Sequence, residues 1–550
     1  MGARCRIERF DEIGESGHTP LYAMRSGVLV TGLRGQYACS SVQTSLHSID
    51  IRVAFDSAAE EHGGALFQGT CYVLLFLGCA TVLAKVRSRS TRQTVLLVAS
   101  YALYLTWVPW FAAVLLASTT LNFLAGKWLR RKPSGLPLWT GIFLNLGLLG
   151  VFKYLPELAI QFPFRPLDKF SHLALPLGIS FWTFQALSYL FDLYRGEELD
   201  PSFFEFALYM NFFPVTISGP VCRLPEMLPQ FRSEQTTSWK DIMQGLRRIA
   251  IGVLMMQQAK LLGQGILAGD GIASGFDRVT HWSGTDVWCL AFGYGLQLFF
   301  DFAGYTHIAV GAAKALGFTV PENFERPFES SSPAVFWTRW HMSLSFWIRD
   351  YVFLPLAVLR REMWWRNLVL VISMVLFGLW HKASVLFILW GAYHGVLLVL
   401  HRQMQQVERR FNWEPPARLW TALSWVATIT LISLGWIFFR ADSLPQAVEM
   451  LSAVLSPASY SSHFLSASLY LLVATLTAGY VVVLLVESGL ERHAGVQEVA
   501  LGESRSGMLA LIARWRWFWI PSLYALALLL VLMITHTQEA GAGQFMYRQF

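Results

Sequence analysis

The stretch NLVLVISMVLFGLWHKASVLFILWGAYHG, from Asn367 to Gly395, decides the fold of this chain. Its first arm, Asn367 to Trp380, is uncharged and would cover about 21 Å as a helix, less than the ~30 Å hydrocarbon core of a membrane. A second apolar run, Ala383 to Leu400, follows almost at once. The pattern predicts a helical hairpin whose turn holds His381 and Lys382 within membrane depth.

The composition is typical of a polytopic membrane protein: the 550 residues are 54% hydrophobic and only 14% charged. The net charge of +7 is concentrated in short loops such as KVRSRSTR from Lys85 and KWLRRK from Lys127. Basic loops of this kind indicate the cytoplasmic side of the membrane, so we predict a topology signal and no nucleic-acid surface. The six cysteines show no metal-ligand spacing, and we predict no metal and no bound cofactor.

Residues 1–64 are polar and are predicted to form a disordered extension, whereas 65–550 are predicted to form one all-α membrane domain. About twelve crossings are expected, near 66–84, 94–110, 111–126, 137–154, 172–194, 249–268, 285–316, the two hairpin arms, 417–438, 466–486 and 517–535. Two further apolar segments, 203–220 and 336–359, have cytoplasmic charges on both sides. They are expected to dip into the membrane, or lie on it, without crossing.

Ionisable residues at membrane depth are costly and usually mark a site, which makes His381 the main candidate. The alternative is that Lys382 reaches toward the surface while His381 is a hydrogen-bonded cap without chemistry. His394 lies inside the second hairpin arm and is a further candidate for the same site.

A second candidate group lies in FWTRWHMSLSFWIRD, where steps of four from Trp337 reach His341, Ser345 and Arg349. If this segment is one helix, these side chains form a polar stripe on one face and need a polar partner or a water-lined cleft. A packing role for His341 is equally consistent with the spacing.

The span GYGLQLFFDFAGYTH places Asp301 on a helix face with Tyr294, Gln297 and Tyr305. A buried charged aspartate is costly unless a cation pairs with it, and Arg339 and Arg349 are the candidates for that cation. A structural ion pair is favoured over a catalytic role at this position.

Motifs of common hydrolases, zinc proteases and nucleotide-driven pumps are absent, since the chain has no GxSxG, HExxH or GKS/T pattern. A buried neutral histidine can instead activate a hydroxyl for attack on a thioester, which is typically worth ~10² to 10⁴ in rate. This chemistry needs no metal.

Four runs of sequence, in this order, resemble the membrane-bound O-acyltransferase family, and most closely its bacterial alginate O-acetylation branch. They are FFPVTISGPVCR at Phe212–Arg223, FFDFAGY at Phe299–Tyr305, NFERPFESSSPAVFWTRWHMSLSFWIRDYVFLPL at Asn323–Leu356 and GLWHKASVLFILWGAYHG at Gly378–Gly395. The resemblance covers the chain from about Ala65 onward.

The resemblance implies that His381 is the catalytic histidine and that His341 is functionally important. It implies an acetyl group taken from a cytoplasmic thioester such as acetyl-CoA and passed across the inner membrane, often with a periplasmic acyltransferase partner acting on a polysaccharide. Lys382 replaces the glycine that usually follows the catalytic histidine, and it could lower the basicity of His381 or steady an oxyanion. His307 occupies a usually acidic position, and Arg548 interrupts the aromatic C-terminal ending.

The leading hypothesis is therefore an integral-membrane O-acyltransferase with His381 as general base, or as the group that carries the acyl-transfer step, and His341 in donor placement. Supporting roles are assigned to six residues: Asp301, Arg339, Ser345, Arg349, Lys382 and His394. A transporter or flippase for a glycan precursor is the alternative from another class, and a lipid acyltransferase is the alternative within the first.

Overall fold

The computed structural model describes residues 22–23, 29–30, 71–106, 109–161, 173–234, 236–266, 269–278, 281–411 and 417–499. The chain divides into two units, Met1–Ala65 and Leu66–Phe550. In the first unit, strands β1 (Tyr22–Ala23) and β2 (Leu29–Val30) pair antiparallel. The rest of the predicted disordered extension and the predicted crossing at 517–535 lie outside the described residues, and both stay predictions.

The second unit is built from helices joined by short loops, which fits its long apolar runs. Its first half contains α1 (Cys71–Lys85), α2 (Arg89–Leu105), α3 (Pro109–Arg131), α4 (Gly135–Leu149), a π-helical turn (Gly150–Tyr154), α5 (Leu155–Gln161), α6 (Ile179–Tyr194), α7 (Phe203–Met210), α8 (Leu224–Arg232) and α9 (Trp239–Gln264).

The second half of this unit carries the hairpin and the segments that pack against it. It contains α10 (Ile272–Arg278), α11 (Gly284–Ala315), a 3₁₀ turn (Pro327–Glu329), α12 (Pro333–Arg339), α13 (Met342–Ile348), a π-helical turn (Arg349–Phe353), α14 (Leu354–Ala357), α15 (Met363–His381), α16 (Val385–Phe411), α17 (Ala417–Arg440), α18 (Leu444–Leu455), a 3₁₀ turn (Pro457–Ser461) and α19 (Ala467–Val499).

Seven helical stretches of the described residues are long and apolar enough to cross a membrane: Pro109–Arg131, Gly135–Ala159, Gly284–Ala315, Met363–His381, Val385–Phe411, Leu419–Arg440 and Ala467–Val486. The predicted count of twelve is therefore not confirmed. Helices α1 and α6 are shorter than the predicted crossings, and α2 starts five residues before its predicted crossing. Helix α9 is long but interrupted by charged residues. The helices of the second unit agree with the predicted class, an all-helical membrane protein.

The two segments expected not to cross are both broken into short helices. Helix α7 has eight residues and would cover only about 12 Å, far less than the ~30 Å core. The segment 336–359 is divided among α12, α13, a π-helical turn and α14. Neither segment can cross as a single helix.

The carboxylate of Glu205 joins several loops on the side that the basic loops mark as cytoplasmic. Its side chain accepts from Arg89 Nη2 at 2.5 Å and from Arg232 Nε at 2.9 Å, and it caps the start of α7 through Ser202. Burial alone would raise the pKa of Glu205, but the hydrogen bonds from Arg232, Ser202 and Arg89 outweigh it and lower the pKa to about 2. The carboxylate is charged at neutral pH and ties α2, α7 and α8 together.

Helices α15 and α16 form the predicted hairpin and touch at the backbone through glycines. A Cβ at Gly378 would lie 2.1 Å from the Phe387 carbonyl oxygen, and one at Gly391 would lie 2.3 Å from the Met374 carbonyl oxygen. Small residues of this kind allow close helix packing in membranes. The close approach fixes the end of α15, where His381 lies.

Candidate active site

His381 is the last residue of α15 and lies at the turn of the hairpin, as predicted. Its side chain is only 5% exposed and packs among five aromatic rings, of which Phe387 is the farthest, at 6.2 Å. The imidazole stacks on Phe377 at a centroid distance of 5.4 Å and meets Trp380, Trp390 and Phe439 edge-on at 4.7, 5.7 and 5.3 Å. These rings hold the imidazole in a dry, shaped environment.

His341 comes from a different part of the chain and meets the same rings. It is 1% exposed, and its imidazole lies 6.2 Å from the Phe377 ring and 6.2 Å from the Trp380 ring. Phe302 of α11 covers it at 4.6 Å. Both ring nitrogens of His341 are buried and have no hydrogen-bond partner among the described residues. Phe377 and Trp380 therefore bring the two candidate histidines together.

The backbone of His341 is left-handed, with φ 43° and ψ 50°. This conformation is uncommon outside glycine and costs of order 1–3 kcal/mol, and such residues cluster at functional sites. Neighbouring hydrogen bonds hold it: Met342 N donates to the Asn323 carbonyl at 2.8 Å, and Ser343 Oγ donates to the Asn323 side chain at 2.5 Å.

The predicted polar stripe is wrong because the segment is not one helix. Helix α12 ends at Arg339, and α13 starts at Met342 after the left-handed residue. Ser345 Oγ donates to the Trp340 carbonyl at 3.0 Å, and the half-exposed Arg349 pairs with Asp350 at 2.7 Å. Of the three residues of the stripe, only His341 faces the ring cluster.

The predicted ion pair of Asp301 is also wrong. Arg339 lies 3.9 Å from Glu329, and Arg349 is engaged by Asp350. Asp301 is buried in α11, and its Oδ2 atom has no hydrogen-bond partner within the described part of the chain. Both expected cations thus lie beside other carboxylates, Arg339 before the break at His341 and Arg349 after it.

His394 is fully buried beside the two other histidines. Its ring meets Trp337 at 5.2 Å and Trp390 at 5.0 Å, and Trp390 also contacts His381. Both nitrogens of His394 lack a hydrogen-bond partner among the described residues. Three buried histidines are thus linked through shared aromatic neighbours.

Lys382, by contrast, forms an ion pair at the hairpin turn. Its side chain is 52% exposed, and its Nζ lies 3.9 Å from Glu157 Oε1. The same carboxylate accepts from the Ala383 backbone N–H at 3.3 Å. The bulky cation that replaces a glycine therefore has a local counter-ion.

Lys153 and Glu157 were missed by the sequence analysis. Lys153 lies in the π-helical turn after α4, donates from Nζ to the Trp380 carbonyl, and lies 4.8 Å over the Trp380 ring. Glu157 follows four residues later and holds the start of the hairpin turn. The sequence did contain a signal for Lys153, because it is a charged residue inside the predicted crossing 137–154. Charged residues within membrane spans usually have a functional role.

A cavity of about 590 Å³ lies on the side predicted to be cytoplasmic and is lined in part by Arg195, Arg223 and Tyr351. Both guanidinium groups lie over the Tyr351 ring, at 4.9 and 5.1 Å. Tyr351 follows His341 by ten residues, which is about 15 Å along a helix. Helix α13 and its π-helical turn thus connect this cavity to the ring cluster.

The described residues contain no group of three or more His, Cys, Asp or Glu side chains placed to hold a metal ion.

Comparison with known proteins identifies relatives of this chain. The model of the membrane-bound O-acyltransferase family matches residues 170–441, which include all three buried histidines. A protein of Pseudomonas aeruginosa named "Probable alginate O-acetylase" is 33% identical over 409 residues, 71% of this chain and 75% of that protein.

Two relatives carry other names. A peptidoglycan O-acetyltransferase of Helicobacter pylori is 32% identical over 419 residues, 69% of this chain and 77% of its own length. A teichoic acid D-alanyltransferase of Bacillus subtilis is 32% identical over 275 residues, 48% of this chain and 68% of its own length. The chain is therefore an acyltransferase and belongs to the membrane-bound O-acyltransferase family.

Proposed function

We propose that the protein transfers an acetyl group from a cytoplasmic thioester, such as acetyl-CoA, to a hydroxyl of an exported polysaccharide at the inner membrane. One observation carries this proposal: His381 and His341, from separate segments, are buried against the same two rings, Phe377 and Trp380. Two histidines that meet at membrane depth suit a proton-transfer site, because either ring can accept or donate a proton.

In the proposed reaction, the acceptor hydroxyl attacks the carbonyl carbon of the thioester. His381 takes the hydroxyl proton as the new C–O bond forms, and gives that proton to the thiolate that leaves when the C–S bond breaks. His341 positions the thioester, since its ring faces the same cluster. The cavity beside Tyr351 is the proposed donor entrance. It lies about 15 Å from His341 along α13 and the following π-helical turn, on the side predicted to be cytoplasmic.

The names of the relatives guide the choice of acceptor. Alginate, peptidoglycan and teichoic acid are all cell-envelope polymers, and each appears in the name of a protein similar to this one. This favours a polymer acceptor over a phospholipid, and acyl transfer over transport. A periplasmic acyltransferase is the proposed partner in this transfer.

The acceptor is tested in a deletion strain that carries either the wild-type chain or an empty vector. We expect the wild-type chain to restore alkali-labile acetate in surface polysaccharide, while the phospholipid profile stays the same. Acetate is measured in separated polysaccharide, peptidoglycan and lipid fractions of equal cell mass. An altered lipid profile with unmodified polymers would instead identify a lipid acyltransferase.

We also propose that Lys153 positions the site by holding the end of α15. Its ammonium donates to the Trp380 carbonyl and covers the Trp380 ring, which itself contacts both His381 and His341. A hydrogen bond to a charged group contributes about 1.5–3 kcal/mol. Losing it frees the last turn of α15 and lets the imidazole of His381 move from its reactive position.

Lys153→Met is therefore expected to lower kcat about 10-fold with little change in KM for the thioester, since a displaced base costs rate more than binding. Lys153→Gln keeps a donor to the carbonyl and should recover part of the rate. Steady-state kinetics on purified protein measure both. Wild-type kcat in Lys153→Met, or a loss that only follows a lower melting temperature, contradicts a positioning role.

A further inference from the structure

A second cavity, of about 720 Å³, lies between the start of α9 and the end of α11. The basic loops place both of these helix ends on the cytoplasmic side. The cavity shares no lining residue with the cavity beside Tyr351 and none with the histidine cluster. The proposed acyl transfer therefore does not account for it.

The wall of this cavity is rich in positive charge, with four basic side chains and one carboxylate: Lys240, Arg247, Arg248, Lys314 and Glu322. Two of the cations have carboxylate partners. Arg248 binds Glu322 through two hydrogen bonds, one of them 2.7 Å long, and Lys314 lies 2.8 Å from Asp241. These pairs fix the wall. The side chains of Lys240 and Arg247 also line the cavity and are exposed.

Apolar side chains are exposed beside this cavity. The rest of its wall mixes polar and buried or half-buried apolar residues: Gln244, Ile251, Val310, Phe318, Thr319 and Val320. Next to it, Trp239, immediately before Lys240, is 72% exposed, and Met243, one helical turn later, is exposed as well. In a membrane protein such exposed apolar side chains face lipid, and tryptophan is enriched at the level of the headgroups. The cavity therefore combines cations with neighbouring apolar side chains at the depth of the cytoplasmic headgroups.

We propose that this cavity binds an anionic phospholipid, with Lys240 and Arg247 on its phosphate and the exposed Trp239 and Met243 along its first acyl carbons. Basic pockets between membrane helices on the cytoplasmic side recognise such headgroups through charge. Arginine in particular matches phosphate geometry with two parallel donors. The bound lipid would bridge α9 and α11, which touch at the backbone where a Cβ at Gly252 would lie 2.4 Å from the Gly304 carbonyl oxygen.

The test measures binding of phosphatidylglycerol and of phosphatidylcholine to the purified full chain in neutral detergent by native mass spectrometry. Wild-type protein is expected to bind phosphatidylglycerol at least ~10-fold more tightly than phosphatidylcholine. The double change Lys240→Gln with Arg247→Gln should weaken phosphatidylglycerol binding about 30-fold, which corresponds to about 1 kcal/mol for each charge.

Two control variants separate the cavity from general charge effects. Arg409→Gln with Arg410→Gln removes two exposed positive charges at the cytoplasmic end of α16 and should leave binding unchanged. Lys240→Arg with Arg247→Lys keeps the charge and should retain most of the affinity. Equal binding of the two lipids, or unchanged binding in the glutamine variant, overturns the proposal. Displacement of the lipid by inorganic phosphate or acetyl-CoA at micromolar concentration overturns it too, because the site would then take a soluble phosphate ligand.

Discussion

His381→Ala is expected to lower acetyl transfer about 10²- to 10⁴-fold, the usual contribution of a general base. The imidazole lies at the centre of the ring cluster, stacked on Phe377 and edge-on to Trp380, and neither of these two rings can take the hydroxyl proton. The measurement is acetate released by alkali from surface polysaccharide, at membrane protein levels matched by immunoblotting.

A second substitution guards against a simple folding defect. His381→Gln keeps most of the volume and polarity of the side chain but cannot act as a base, and it should be as inactive as His381→Ala. His401→Gln changes a histidine two helical turns beyond His394 on α16 and should keep wild-type activity. Full activity in either His381 variant would remove His381 from the mechanism and reopen the choice between His341 and His394.

Gly391→Ala is expected to destabilise the folded protein by about 1–3 kcal/mol, the usual cost of overpacking a tight contact. The added Cβ would lie 2.3 Å from the Met374 carbonyl oxygen and 2.7 Å from the Val375 Cα atom. Both are backbone atoms of α15, so the strain cannot be relieved by a rotamer change. The two helices must separate, and His381 moves with α15.

The matched control is Gly147→Ala in α4, where an added Cβ meets nothing within 4 Å. There the loss of backbone entropy in the unfolded chain should leave stability unchanged or raise it by up to about 1 kcal/mol. Melting temperatures of the purified proteins in one detergent compare the two variants. An unchanged melting temperature for Gly391→Ala would mean that the hairpin packs less closely than the contact at Met374 requires.

The hairpin and its catalytic candidate were predictable because both depend on local pattern. Two apolar runs separated by a short polar turn specify adjacent antiparallel helices, and a histidine at that turn must lie within the membrane domain. The family motifs are likewise short, continuous runs of sequence. The membrane class follows from composition. These features need no knowledge of which segments meet.

The pairing of distant groups depended on the tertiary structure alone. The left-handed backbone at His341 breaks a segment whose spacing is that of one helix, and Arg339 and Arg349 lie beside Glu329 and Asp350 instead of Asp301. Lys153 reaches the Trp380 carbonyl because a π-helical turn redirects it. Periodicity reports which residues share a face of an unbroken helix, whereas contacts across 200 or so residues of chain depend on how the helices pack.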